Sequence, residues 1–299
     1  MAIDPNISEP RRVEIATVAV REAQAQKTGG KPMLDFEGES TPYIDYESID
    51  VLLSLQHPRS PVHDEMAFYI AGQVMELLFK LAVTETRAAT AHLEDDNIPA
   101  ACKLLRRITK IEELLTTIWP MLETITPADF KGFRDYLGTS SGFQSYMYRA
   151  LEFSLGNKNR AMLQPHRGVP SVYPELLRAF ESPSIWDVTA KLLARRGYAI
   201  DPDHLERDVT APYQPNASVE AVWLQIYEAN DPANELFELG ERLMDVAAAF
   251  TTWRMKHLVI VERIIGFKVG TGGTAGVSWL RSIIDHRFFP ELWTLRTVV

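Results

Sequence analysis

The feature that most constrains the fold is a long run of helical periodicity that ends in a glycine-rich turn. Asp231 followed by Pro232 predicts the start of the helix, because aspartate caps helices and proline is tolerated at the first helical position. Gly266 predicts its end. Apolar residues recur between these points at spacings of three and four, which is one face of a helix turned toward a core. This face consists of Leu239, Leu243, Val246, Phe250, Trp253, His257, Ile260 and Ile264.

His257 is the polar member of that apolar face. A core-facing imidazole either satisfies its nitrogens with neighbouring hydrogen bonds or binds a metal. Spacing alone favours the hydrogen-bonded core histidine, because buried polar groups usually find hydrogen bonds. The charged residues of the helix are predicted to lie away from the core; they include Glu238, Glu241, Arg254 and Glu262.

Composition indicates a soluble globular protein with a sizeable core. The 299 residues are 46% hydrophobic and 24% charged. A net charge of −9 argues against a nucleic-acid surface or an anionic membrane as the main partner. The single cysteine, Cys102, excludes an intramolecular disulfide and fits a reducing compartment. No apolar run approaches the roughly 20 residues that span a bilayer, and the N-terminus lacks an apolar signal core, so we expect a cytoplasmic protein.

The rest of the chain also has the pattern of helices joined by irregular loops. Residues 61–89 and 96–118 are predicted to form two long helices, and almost nothing alternates with the period of a strand. We therefore predict an all-α, single-domain helical bundle over residues 41–299, preceded by a mobile N-terminal arm over residues 1–40. The apolar side chains predicted to face inward are Phe68, Val74, Met75, Leu78 and Leu81 on the first helix and Leu104, Leu105, Ile108, Ile111, Leu114 and Leu115 on the second.

Three short motifs each allow two interpretations. The turn from Gly270 to Gly273 could hold an anion on converging N–H groups, but a helix C-terminal turn is favoured on residue type. It is not a nucleotide phosphate loop, because the lysine and hydroxyl at the required spacing are absent. His63 begins a metal-like His-Asp-Glu sequence, yet the acids fit better in the first turn of a helix. Arg134 suits either carboxylate recognition or a structural ion pair.

Several stretches together resemble the tryptophan 2,3-dioxygenase family. They are HDEMAFYIAGQVMELLFK at 63–80, FRDYLGTSSGFQSYMYRALEFSLGNK at 133–158, WRMKHLVIVERIIGFKVGTGGTAGVSWLR at 253–281 and FFPELWTLRT at 288–297. The resemblance runs from about Thr41 to the C-terminus and implies a fold that encloses noncovalent heme b, iron protoporphyrin IX. It also implies a homotetrameric enzyme. Members of the family add O2 to the indole ring of L-tryptophan and give N-formylkynurenine.

The resemblance assigns roles to individual residues. His257 matches the axial heme ligand, Trp119 a pocket tryptophan and Ser141 a hydroxyl that lines the heme pocket. Arg134 matches the arginine that grips the substrate carboxylate, and Thr271 the threonine that meets its ammonium. An aromatic wall over the substrate ring is matched by Phe68. Tyr43 and Tyr46 match aromatics that the N-terminal arm delivers into a neighbouring subunit's site.

Two positions depart from the family pattern on the distal side of the heme. The family usually has histidine where this chain has Gly72, and frequently tyrosine where it has Phe130. Both changes remove polar groups that would surround the indole, and small misplacements of a substrate are costly in rate. We therefore expect a heme-dependent oxygenase acting on L-tryptophan or a substituted, for example β-methyl, tryptophan.

The sequence leaves three outcomes open. The first is a monooxygenase that uses an external reductant and gives a 2-oxindole, as in the antibiotic-pathway branch that this family resembles. The second is ordinary tryptophan 2,3-dioxygenation. The third is a sensor that binds heme and indole without catalysis, which the retained Arg134 and Thr271 argue against.

Overall fold

The computed structural model describes residues 11, 15–36 and 40–299, which fall into two compact units, residues 1–57 and 58–299. In the first unit, α1 spans Val18–Thr28, α2 Pro42–Glu47 and α3 Ile49–Leu53. Arg11 lies 2.7 Å from a carboxylate oxygen of Asp50 and 3.4 Å from one of Asp45, which ties it to both short helices. The predicted boundary at residue 41, between a mobile arm and a heme-binding domain, stays a prediction.

The second unit consists of helices, and no strand occurs among the residues that the structure describes. The all-α prediction is therefore confirmed. The three longest helices form the centre, because α5 packs along both α4 and α12, and α4 also packs against α7 and α9. The helices are α4 Asp64–Glu94, α5 Ile98–Leu122, α6 Pro127–Arg134, α7 Tyr146–Leu155, α8 Tyr173–Glu181, α9 Ile185–Arg195, α10 Pro202–Leu205, α11 Ala217–Glu228, α12 Glu235–Ile264, α13 Val277–Ile284 and α14 Pro290–Thr294.

The long helix α12 begins later than predicted. Asn234 caps it, with its side chain accepting the N–H of Leu236 at 3.0 Å. Asp231 instead accepts the N–H of Ala233 at 2.9 Å and so stabilises a turn before the helix, which makes the predicted start wrong. The predicted end is confirmed, since the last helical residue is Ile264 and Gly266 has a left-handed backbone with φ of 66°.

One charged residue of α12 was wrongly predicted to lie away from the core. Arg254 is only 3% exposed, because α12 is covered on more than one side by α5, α11, α13 and α14. Its guanidinium bonds to Glu152 on α7 at 2.5 Å, which allows a charge to be buried there. A single periodic face therefore underestimates how much of this helix is covered.

The outer face of α4 is apolar although it is exposed in the single chain. The helix buries Ala71, Met75, Phe79 and Ala82 on its inner face, whereas the predicted inward positions Val74 and Leu81 are exposed, as is Leu114 on α5. Those three predictions are wrong. Val74 and Leu81 belong to a second apolar stripe of α4 that the other helices of the second unit leave exposed, and Leu114 is exposed on α5. The stripe consists of Met66, Ile70, Val74, Leu77 and Leu81, each at least 37% exposed.

By length and composition alone, α4 could cross a membrane, and among the described helices it is the one that meets this test. The core helix of a soluble protein meets the same test. The inner face of α4 packs against α5, α7 and α9, and 28% of its most apolar stretch is buried among the described residues.

Candidate active site

A large cavity lies between α4, α5 and α12 in the second unit, bounded also by α13 and by the segment of residues 137–145. Its volume is about 590 Å³, which is within the usual range of small-molecule and cofactor pockets. The wall is mostly apolar and aromatic, with few polar groups. Seven of the predicted site residues lie on this wall: Phe68, Gly72, Trp119, Phe130, Ser141, His257 and Thr271.

His257 faces the cavity from α12, and its imidazole makes no hydrogen bond with any residue in the described part of the chain. The hydrogen-bonded core histidine that spacing favoured is therefore wrong. Burial lowers the pKa of His257 to about 4, so the ring is neutral at pH 7 and one nitrogen lone pair is available to a metal. Trp119 of α5 stacks on the imidazole, with centroids 4.7 Å apart and planes 7° apart, and Trp253 lies 5.6 Å away. The two indoles fix the orientation of the ring.

The residues around His257 fit heme better than a free metal ion. Among residues 11, 15–36 and 40–299, no group of three or more His, Cys, Asp or Glu side chains could hold a metal ion. A metal bound at His257 must therefore bring most of its ligands with it, as iron in a porphyrin does. The apolar and aromatic walls beside His257 suit a flat macrocycle.

Two hydrogen bonds join the loop after α12 to the last residue of α6 and to the segment that follows it. The Arg134 guanidinium donates to the carbonyl of Val269, and the Thr271 hydroxyl donates to the carbonyl of Ser140 at 2.6 Å. Glycine is required where the two segments meet, because a Cβ on Gly272 would lie 2.8 Å from Cβ of Ser141. The Gly270–Gly273 turn therefore shapes the cavity wall, which a helix-ending turn alone would not do.

Arg134 does not itself line the cavity. The structural ion pair is wrong, since Arg134 bonds a backbone carbonyl and forms no ion pair with a described residue, whereas carboxylate recognition stays a prediction. Its partner Val269 is two residues before Thr271, which places both predicted head-group residues at the same loop. The guanidinium is therefore held beside the loop that contributes Thr271 to the cavity wall.

The substrate wall predicted on α4 is aromatic and contains a gap. Phe68 packs against Phe130 and Phe133, with ring centroids 5.9 Å and 5.5 Å away. One turn further along α4, a Cβ added to Gly72 would meet no atom within 4 Å. Glycine in a helix is roughly 0.5–1 kcal/mol less stable than alanine. Gly72 therefore lowers the stability of α4 and leaves open space where a side chain would be.

A buried charge network at the cavity wall was missed by the sequence reasoning. Glu152 accepts from Arg149 at 2.5 Å and from Arg254 at 2.5 Å, and Arg254 also donates to the Tyr148 hydroxyl at 3.1 Å. Burial alone would raise the pKa of Glu152, but the two guanidinium groups lower it more, so it stays below its ordinary value. The spacing of three between Arg149 and Glu152 was the available signal, but Arg254 comes from another helix.

Tyr43 and Tyr46 belong to the first unit, on α2, where their exposed fractions are 66% and 73%. Their predicted entry into a neighbouring subunit's site stays a prediction. Exposed tyrosines of this kind suit contact with a partner surface, because the ring is apolar and the hydroxyl is polar.

Comparison with known proteins identifies the family. The tryptophan 2,3-dioxygenase family model matches residues 27–175 and 162–299. A tryptophan 2,3-dioxygenase from Burkholderia pseudomallei is 48% identical over 275 residues, covering 92% of this chain and 90% of the relative. One from Polaromonas is 49% identical, covering 89% and 90%, and tryptophan 2,3-dioxygenase 1 from Ralstonia nicotianae is 46% identical, covering 97% and 98%. The chain is therefore an enzyme of the tryptophan 2,3-dioxygenase family.

Proposed function

We propose that the protein is a heme-dependent oxygenase that adds both atoms of O2 to the indole ring of L-tryptophan. The observation that carries the proposal is His257, a neutral imidazole without a described hydrogen-bond partner at the wall of a cavity of about 590 Å³. The name shared by relatives that are 46–49% identical over most of their length supports the same substrate and reaction. When bound, heme b supplies the iron at which O2 is activated.

The side chains of this chain bind and orient the substrate. Arg134 and Thr271, which hold the same loop, would bind the carboxylate and the ammonium of the amino acid. The rings of Phe68 and Phe130 would pack on the indole and keep water out of the cavity. Trp119 would keep His257 in one orientation toward the iron, because it stacks on the imidazole. Ser141 contributes a hydroxyl to the heme wall, where Gly272 meets it closely.

A second candidate is favoured by the open space at Gly72, where an added Cβ would meet nothing within 4 Å. That space could hold a substituent on the substrate, as in a β-methyl tryptophan, or a water molecule. Looser orientation of the indole would favour insertion of a single oxygen atom, giving a 2-oxindole. Such a reaction consumes two electrons and two protons to convert the second atom of O2 to water, so it needs an external reductant such as ascorbate.

Product mass separates the two reactions. Reconstituted ferrous protein with L-tryptophan in air is expected to give a product heavier by two oxygen atoms, whether ascorbate is present or not. The measurement is mass spectrometry of the product, with a β-methyl tryptophan tested in parallel. A gain of one oxygen that depends on ascorbate would support the second candidate, and no oxidised product from either substrate would contradict both.

Restoring a side chain at the gap tests its effect on rate. The change Gly72→His adds a hydrogen-bonding ring on the cavity side of α4, and the structure leaves room at Cβ. We expect kcat/KM for L-tryptophan to rise by roughly tenfold or more, because indole orientation becomes tighter. Gly72→Ala is the control, since it removes the flexibility of glycine without adding a polar group. An unchanged or lower rate in the histidine variant, with heme retained, would contradict this role of the gap.

We also propose that the protein forms a homotetramer in which N-terminal arms bearing Tyr43 and Tyr46 are exchanged between subunits. The support is the exposed stripe of α4, because a helix that is apolar on both faces is normally buried.

A cytoplasmic location is proposed because Cys102 is free and buried, as expected in a reducing compartment.

A charge placed in the exposed stripe of α4 tests the assembly. Leu77 is 49% exposed in the single chain, so Leu77→Asp should cost the monomer little, yet it should split the oligomer by burying an unpaired carboxylate. The measurement is mass in solution by light scattering. Val169→Asp, at an exposed apolar residue outside both α4 and the first unit, is the comparison and should keep the mass of the wild type. A Leu77→Asp protein with the mass of the wild type would exclude this stripe as a subunit contact.

A further inference from the structure

Glu76 stands out on the cavity face of α4. It lies one helical turn beyond Gly72 and two turns beyond Phe68, so the three share one side of the helix. Among the described residues of the cavity wall, Glu76 is the only carboxylate. The two guanidinium groups on the same wall, Arg149 and Arg254, are already bonded to Glu152. Glu76 is therefore an acceptor that the charge network does not use.

One oxygen of Glu76 lacks a partner. Its Oε2 atom is buried and makes no hydrogen bond with any residue that the structure describes. Burial raises the pKa of Glu76, while the Ser145 hydroxyl and the Met147 N–H beside it lower the pKa by a smaller amount. These two groups begin α7, so part of the carboxylate serves as a cap for that helix. A cap does not explain the second oxygen, because an unmade hydrogen bond of a buried polar atom costs roughly 1–3 kcal/mol.

The neighbouring polar groups offer the substrate little else. The Ser145 hydroxyl oxygen already accepts the N–H of Tyr148 at 3.2 Å, and the Gln144 amide donates to the carbonyl of Thr139 at 3.3 Å. Gly72 contributes no side chain. An indole has a single N–H, which is a donor only and costs free energy if it is buried without an acceptor. Along this side of α4 the free acceptor is Oε2 of Glu76.

We propose that Glu76 determines specificity by accepting a hydrogen bond from the indole N–H of the substrate through Oε2. This inference rests on the proposed function, in which Arg134 and Thr271 hold the amino-acid head group and the ring extends along α4. A pocket that provides a buried acceptor for a substrate N–H rejects analogues that lack the donor. The enzyme should therefore discriminate against 1-methyltryptophan, in which a methyl group replaces the indole hydrogen.

The test compares binding and turnover of L-tryptophan and 1-methyltryptophan by heme-reconstituted full-length protein. The wild-type protein should bind L-tryptophan at least roughly tenfold more tightly than 1-methyltryptophan. Glu76→Met keeps the length of the side chain and removes the acceptor, so L-tryptophan affinity should fall roughly tenfold while 1-methyltryptophan affinity changes little. Glu76→Gln keeps a neutral acceptor, so its affinity for L-tryptophan should lie between those of the wild type and Glu76→Met.

Ser145→Ala is the matched control, because it removes a group that caps α7 together with Glu76 but leaves the carboxylate in place. It should keep the discrimination of the wild type. Equal losses for both ligands in Glu76→Met, matched by Ser145→Ala, would show a purely structural role and overturn the inference. The inference would also be overturned if Glu76→Met lost affinity for L-tryptophan but not for indole-3-propionate. Indole-3-propionate keeps the indole N–H and lacks the ammonium, so that result would place Glu76 at the ammonium. If the wild-type protein binds L-tryptophan without oxidising it, the proposed function fails. The ratio of L-tryptophan to 1-methyltryptophan affinity in each variant still tests the role of Glu76.

Discussion

His257→Ala protein is expected to fold and to lose heme. The wild-type imidazole is neutral, lacks a described hydrogen-bond partner and faces the cavity, so it is the group on the wall best suited to bind iron. After incubation with hemin and desalting, the variant should show almost no Soret absorbance, whereas wild type should retain about one heme per chain. Adding free imidazole to a His257→Gly protein should restore a large part of the heme band, because the small ligand can fill the space left by the ring.

His286→Ala is the matched control for this experiment. Burial and nearby charge lower the pKa of His286 to about 4, as burial alone does for His257, but His286 is not on the cavity wall. It should therefore retain heme. Circular dichroism on each variant separates heme loss from unfolding. A His257→Ala protein that keeps a full heme band with the spectrum of histidine ligation would show that the axial ligand has been wrongly assigned.

Among the substitutions proposed here, Glu152→Ala is expected to cause the largest fall in the free energy of unfolding. The change leaves Arg149 and Arg254, which are 4% and 3% exposed, without their shared carboxylate. Removing one member of a buried ion pair typically destabilises a protein by about 3–5 kcal/mol, because the remaining charge is unpaired in a medium of low polarity. The free energy of unfolding should therefore fall by an amount of that order, as measured from urea unfolding of the heme-free protein.

A surface pair provides the comparison for Glu152. Glu113 pairs with Lys110 at 2.8 Å, but both side chains are more than half exposed, so Glu113→Ala should leave the urea midpoint almost unchanged. Glu152→Gln keeps the shape and one acceptor and should lose less stability than the alanine variant. If Glu152→Ala and Glu113→Ala had the same midpoint as the wild type, the network would contribute nothing to the fold.

The sequence predicted the helices well because their caps and periodic faces are local features. The predicted end of α12 at Gly266, for example, is set by a few neighbouring residues and a left-handed backbone. Burial on a second face is not local. Arg254 follows Trp253 directly and so falls off the apolar stripe, yet α7 provides Glu152 beside it. The pattern of α4 likewise gives no means to tell which of its two apolar faces the chain itself covers.

The site was predicted in part for the same reason. Periodicity placed His257 on the interior face, but the ring that stacks on its imidazole is Trp119, which comes from another helix. The type of residue at Arg134 could not show its bond to the carbonyl of Val269, because Val269 is more than 100 positions away in the chain. Glu76 could not be singled out from sequence, because its unpaired oxygen is evident only once α7 is packed beside α4.

The most direct test of the central claim is an experimental structure of the heme-reconstituted protein. The account predicts a porphyrin inside the cavity between α4 and α12, with an imidazole nitrogen of His257 bonded to the iron and the ring of Trp119 still stacked on the imidazole. Heme bound outside this cavity, or iron ligated by another histidine such as His286 or His166, would contradict it.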